Sequence, residues 1–291
     1  MDVRPERLIL LKVPIDIVPP EELPDVISLL IPKKEDIEAV AAWQSEPAKL
    51  ASPAGLPSPA KLVSQSNQES QTQLEFQKRR NIILLSIWDL LRARRNKEYR
   101  EYVFNAALVI PISKSLVSGA KFLTGKTIYR YMPFNFVISL LSILERKEYP
   151  VYLLGGSSRI LKKAERNLHS TFPNLGIVGR CDGTLKKRDE PPVKEAIRKS
   201  SPSLLLVGKG VRKSELWISR NSQQLNTGFR LWCSDLFDVF ADKKQRPSDA
   251  VFERGLEGIG YCFRSPLKFF RIFPYMYYLI LLLLNKIFRR R

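Results

Sequence analysis

Two stretches of the 291-residue chain carry side chains whose types and spacing suit chemistry on phosphates and sugars. The first runs from Leu206 to Ile218, where Lys209, Arg212 and Lys213 follow a glycine-flanked turn and Glu215 comes directly after them. Three cations so close together can neutralise a diphosphate, and the carboxylate can hold a sugar hydroxyl or steady a neighbouring base. The second is the turn Gly155-Gly156-Ser157-Ser158, where bare backbone N–H groups at the start of a helix favour a phosphate. This turn has neither the G-x-G-x-x-G spacing of dinucleotide sites nor the Walker G-x-x-x-x-G-K-[ST] spacing, and a tight strand-to-helix connection uses the same residues. His169 is the sole histidine and lies in a helix far from any nucleophile, which sets aside Ser-His and His-metal chemistry. Cys181, Cys233 and Cys262 are widely spaced with no Cys-x-x-Cys pair, so neither a metal site nor a disulfide framework is expected, and no cofactor is.

These stretches need a scaffold, and the apolar runs describe one. A strand over Arg7–Val13 is followed by a helix opened by Pro19-Pro20-Glu21-Glu22, which reads as half of a βα unit. From Pro32 to about Gln77 the composition turns to Pro, Ser, Ala and Gln, and Pro47–Gln73 is expected to be a flexible insertion. Apolar runs at Asn81, Leu108–Ile110, Val151–Leu154, Leu175–Val178, Leu204–Val207 and Phe229–Cys233 then alternate with helical patterns, one of them continuous from Ile87 towards Leu108. Repeated β-then-α with unbroken apolar strands predicts a mostly parallel α/β sheet with helices on both faces. In such sheets ligands bind beyond the strands' carboxyl ends, where this chain carries Gly155-Gly156, Asp182-Gly183 and Gly208-Lys209-Gly210.

Charge points to an anionic partner: 48 Lys and Arg against 29 Asp and Glu leave a formal +19. The basic residues are interleaved with acids over several helices, whereas groove binders concentrate them on one face or arm, so nucleic acid is not the expected partner. The tail from Arg264 to Arg291 suits an anionic membrane surface better. Its uncharged stretch, Ile272 to Asn285, is shorter than the roughly 20 residues that a spanning helix needs, so docking on the bilayer is expected, with a short spanning segment as the alternative. The opening residues lack the apolar core and cleavage site of an export signal, which places the expected location at the cytoplasmic face of a membrane.

In order, these segments resemble the WecG/TagA/CpsF family of glycosyltransferases. The likeness rests on RLILLKVPIDIVPPEEL, on VYLLGGSSRILKKAERNLHSTFPNLGIVGRCDG, on LLLVGKGVRKSELWISRN and on LFDVFADKKQRP followed by GLE and SPLKFFR. The resemblance implies a Rossmann-like domain that transfers an N-acetylhexosamine-type sugar from a UDP donor to a lipid-diphospho-sugar acceptor in envelope polysaccharide synthesis, and it adds homo-oligomer formation as a further association. It divides the chain into 1–32, a first strand and helix; 33–77, the insertion; 78–250, the remaining α/β domain; and 251–291, a membrane-docking appendage. It assigns Gly155, Gly156, Asp182, Gly183, Gly208, Gly210, Lys213, Glu215 and Asp238 to the nucleotide-sugar, and Arg246, Arg264, Lys268 and Arg271 to the acceptor and membrane. The departures fall at the family's catalytic words. An Asp proposed as its general base is Ile112 here, and its facing Thr and Asn are Leu84 and Ser86. Either another carboxylate does the base work, with Asp89, Asp182, Asp235 and Glu215 nearest to the motifs, or the chain is a catalytically inactive scaffold or regulator.

Overall fold

A computed structural model describes residues 5–31, 80–211, 215–255 and 272–289. The chain begins with an antiparallel hairpin, β1 (Glu6–Leu10) and β2 (Val13–Ile17). Leu11 and Lys12 join them with φ of 49° and 68°, the left-handed pair that a two-residue hairpin turn requires. The expected single strand over Arg7–Val13 is therefore corrected to two, because the turn is made without the glycine or asparagine that usually marks one. Helix α1 (Leu23–Leu30) follows, with Glu22 at its N-cap, and the expected insertion at 33–77 lies outside the described residues.

The main sheet has six strands: β3 (Asn81–Leu85), β4 (Leu108–Pro111), β5 (Val151–Leu154), β6 (Ile177–Cys181), β7 (Leu204–Gly208) and β8 (Phe229–Ser234). Their order is β4-β3-β8-β7-β5-β6, all parallel. Strands β3, β4, β5, β7 and β8 are buried almost throughout, which is why they read as unbroken apolar runs, whereas β6 at one edge is only half-buried. The chain leaves β3 for β4 on one side and returns beside β3 only as β8. It likewise leaves β5 for β6 and returns on the other side as β7. Two topological switch points result, and both open at the carboxyl ends of the strands.

Helices cover both faces. On one lie α2 (Ile87–Arg95), α3 (Lys97–Phe104) and α4 (Lys114–Thr124), packed with Ile83, Leu85 and Val109 of the sheet and with the hairpin. On the other lie α1, α5 (Pro133–Arg146) and α6 (Ser158–Thr171), packed on Ile82, Ile110, Leu153 and Leu231. The pattern expected as one helix from Ile87 is two, broken at Asn96, whose side chain accepts the Tyr99 N–H at 2.8 Å and caps α3. Beyond these, α7 (Glu190–Ser200), α8 (Glu215–Asn221), α9 (Leu236–Phe240) and α10 (Asp249–Arg254) connect or follow the later strands.

Asp16 ties the hairpin to the sheet. It is buried, pairs with Arg7 at 2.6 and 2.9 Å, and accepts the Val109 N–H of β4 at 2.7 Å. The last described helix, α11 (Ile272–Arg289), lies against α2 and α4. Tyr278 and Leu282 are its buried residues, and the Tyr278 hydroxyl donates to the Ser115 carbonyl at 3.0 Å. The approach is close enough that a Cβ on Gly119 would stand 2.0 Å from the Tyr278 oxygen. Among the described residues no helix is long and apolar enough to cross a membrane.

Candidate functional site

A cavity of about 920 Å³ opens over the carboxyl ends of β4, β3 and β8. Leu84, Ser86, Ile112 and Ser113 from the ends of β3 and β4 line it, with Trp232, Cys233, Ser234 and Asp235 from β8. It therefore holds three positions singled out in the sequence, Leu84, Ser86 and Ile112, together with Glu215 and Arg246. The run Trp232–Leu236 lines it without closing it.

One wall comes from α2, α3 and the start of α8. Ser86 caps α2 in a reciprocal box: its N–H and hydroxyl donate to Asp89 Oδ2 at 2.9 and 2.6 Å, and its oxygen accepts the Asp89 N–H at 3.3 Å. The Tyr99 hydroxyl donates to Asp89 Oδ1 at 3.1 Å. Arg92 reaches Glu215 Oε2 at 3.0 Å and stacks 4.2 Å above the Tyr99 ring. Burial pushes the Glu215 carboxyl above its ordinary range and the nearby Asp89 charge adds to this, while its own backbone N–H and Arg92 pull it down. Tyr102 is buried on this wall, and among the described residues its hydroxyl has no hydrogen-bond partner.

The opposite wall is aromatic and basic, with Met132, Phe134, Val239, Arg130, Lys244 and Arg246. Arg130 donates to the carbonyls of Ile112 at 2.9 Å and Phe252 at 2.6 Å, and its guanidinium lies 3.7 Å above the Phe252 ring. Burial lowers it to about 10, so it keeps its charge at neutral pH. Lys114 donates to the carbonyls of Glu253 and Arg254 at 3.0 and 3.2 Å. The two cations thus fix the C-terminal end of α10, where unpaired carbonyls gather. Lys244 pairs with Asp235, and Arg246 donates to Asn135 at 3.1 Å.

The glycine words lie at the second switch point, over β5, β6 and β7. A Cβ on Gly155 would stand 2.7 Å from the Gly208 backbone, and one on Gly183 would stand 2.8 Å from the Lys209 carbonyl oxygen. Only glycine allows the three strand-end loops to stack this closely. The N–H groups of Gly155, Gly156 and Gly183 donate to Cys181, Lys209 and Gly156 at 2.9, 2.6 and 2.8 Å, so a phosphate bound to those donors would have to displace carbonyls. Asp182 accepts the Thr184 hydroxyl at 2.6 Å, and buried Asp238 pairs with Lys209. None of these residues lines the large cavity, although Val239, next to Asp238, does. Lys213, Arg264, Lys268 and Arg271 lie outside the described residues.

A sequence profile described as the glycosyl transferase WecG/TagA/CpsF family matches residues 58–291, well over half of the chain. The chain belongs to the WecG/TagA/CpsF family. Similar proteins include an N-acetylglucosaminyldiphosphoundecaprenol N-acetyl-beta-D-mannosaminyltransferase of Bacillus spizizenii, 23% identical over 181 residues, covering 62% of this chain and 69% of the relative. A protein of the same name from Staphylococcus aureus is 24% identical over 154 residues, covering 53% of this chain and 60% of the relative. The α/β architecture is the one that the family resemblance implied. Within this family member, sequence reasoning missed Tyr99, Tyr102, Arg130 and Lys244 as cavity residues, and Arg92 as the partner of Glu215. Only the aromatic spacing in KEYREY hinted at two of them.

Proposed function

We propose that this chain is a membrane-surface glycosyltransferase that moves an N-acetylhexosamine-type sugar from a UDP donor to a lipid-diphosphate-linked acceptor in cell-envelope polysaccharide synthesis. The observation that carries this reading is the meeting of α11 with the cavity wall. Trp88 of α2 and Tyr275 of α11 both line the cavity, with ring centroids 6.4 Å apart and nearly perpendicular. Away from that contact α11 exposes Phe273, Met276, Ile280, Leu283, Leu284 and Ile287 along one stripe. Such a stripe suits burial at the headgroup and acyl boundary, and a lipid-linked sugar would then enter beside the helix without leaving the bilayer. Arg130, Lys244 and Arg246 supply cations for a diphosphate. Arg246 is proposed to serve the acceptor together with Arg264, Lys268 and Arg271. Gly155, Gly156, Asp182, Gly183, Gly208, Gly210, Lys213 and Asp238 remain the proposed nucleotide-sugar side, reached across the switch point from the cavity, and Glu215, proposed for the same side, stands in the cavity itself. The names of the relatives support the same class of transferred sugar and a lipid-diphosphate-linked acceptor.

A second reading, a catalytically inactive scaffold at the membrane, is favoured by one specific observation: Leu84 and Ile112 present hydrocarbon to the cavity at positions where the family resemblance implies polar groups. Calorimetric titration with UDP-N-acetylhexosamines separates the two. The transferase reading expects saturable heat with micromolar to millimolar affinity, and no heat at millimolar ligand would remove it.

A further inference from the structure

We propose that Glu215 is the catalytic base of this chain, taking the proton from the attacking hydroxyl of the acceptor sugar. This rests on the transferase reading above, since transfer to a hydroxyl requires a group that can accept its proton within hydrogen-bond reach. Three carboxylates among the described residues line the cavity: Asp89, Asp235 and Glu215. Asp89 is committed to structure, with Oδ2 taken by the Ser86 N–H and hydroxyl at 2.9 and 2.6 Å and Oδ1 by Tyr99 at 3.1 Å. Asp235 is paired with Lys244, and both side chains are well exposed to water. The Asp235 carboxylate thus faces Lys244 and solvent rather than an enclosed part of the cavity.

Glu215 differs on each count. Its side chain is 12% exposed, and among the described residues its ion pair is with Arg92, at 3.0 Å from Oε2. Among the described residues no other side chain donates to the carboxylate, which its own backbone N–H also holds. Arg92 is itself fixed by stacking on Tyr99, so the carboxylate is held in place on the cavity wall where a substrate hydroxyl can approach. Burial and the Asp89 charge raise the carboxyl's affinity for a proton, the direction that suits a base.

The step balances without a further reactant. The acceptor O–H bond breaks and its proton passes to the Glu215 carboxylate. The oxygen's electron pair forms the new bond to the donor's anomeric carbon. The bond from that carbon to the β-phosphate oxygen breaks, and its electrons leave with UDP. The carboxyl afterwards returns the proton to solvent.

The test uses the full chain on anionic vesicles with a UDP-N-acetylhexosamine and a polyprenyl-diphosphate-linked N-acetylhexosamine. Glu215→Gln is expected to lower kcat by about 10²–10⁴-fold with donor affinity changed only a few-fold, and to abolish the acid limb of the kcat/KM profile. Glu215→Asp should restore part of the rate. Arg92→Gln, which keeps the carboxylate and removes the charge that draws its pKa down, should move the acid limb to higher pH, a change that a merely structural role would not produce. It also serves if Glu215→Gln does not fold. A folded Glu215→Gln that retains wild-type kcat or the acid limb overturns the base assignment alone. So does a wild-type chain that binds donor but transfers nothing. A wild-type chain that gives no heat with any UDP-sugar removes the transferase reading itself.

Discussion

At the residue scale, Glu215 sets function against stability. A carboxyl whose pKa is higher in the folded than in the unfolded chain binds its proton more tightly when folded, so folding stability falls as pH rises from the ordinary carboxylate range through the raised value. Above that window the protein keeps a buried negative charge that Arg92 only partly offsets, since the Arg92 side chain is 39% exposed. Glu215→Gln should therefore hold its melting temperature at pH 8 or raise it, and should flatten the decline expected of the wild type as pH rises above the ordinary carboxylate range, as measured by thermal denaturation at each pH. A marked loss of stability at pH 8 would mean that the ion pair with Arg92 stabilises more than burial costs.

At the element scale, α11 is attached through few buried groups. Tyr278 and Leu282 enter between α2 and α4, Lys286 lies 3.8 Å above the Phe122 ring, and Arg95 lies 5.3 Å above the Tyr277 ring. Gly119→Ala puts a methyl group on the Tyr278 hydroxyl, which must then give up its bond to Ser115. Limited proteolysis should release α11 faster in this variant while the unfolding of the sheet is nearly unchanged. Much of this level was legible in the sequence. Strands buried on both faces, such as Leu204–Gly208, read as apolar runs, but β6, half-buried at an edge, was expected at Leu175–Val178 and lies at Ile177–Cys181. Helix α4 gave no usable signal, because Ser118 and Gly119 break its apolar pattern where α11 needs room. The candidate site divides in the same way. Positions in contiguous words, the glycines and Glu215, could be read in order, whereas Arg92, Tyr99 and Tyr102 meet Glu215 only through the packing of α2 and α3 against α8.

At the scale of the whole molecule, a formal +19 and an apolar stripe on α11 would serve the proposed membrane docking in different ways. The charge would draw the protein to anionic lipid over a distance that salt shortens, about 10 Å at 0.1 M, and the stripe would hold it by burial that salt hardly affects. Leu283→Glu with Ile287→Glu should reduce sedimentation with anionic vesicles at least tenfold at 0.3 M salt, with a smaller loss at low salt. Both substitutions lie on the exposed side of α11, so the fold should be unchanged by circular dichroism. Equal binding by variant and wild type at high salt would detach the stripe from the membrane.

The hairpin has a further consequence for solubility. Strand β4 is the last strand on its side of the main sheet, and its outward Val109 N–H is occupied by Asp16, with Arg7 bonded to the Ala106 carbonyl beside it. The residues that do this precede the region matched by the family, which begins at residue 58. A chain trimmed to that region would keep all six strands and leave β4 open to pair with another molecule, so it should aggregate through that edge. Residues 5–31 would thus guard against polymerisation as well as form part of the fold.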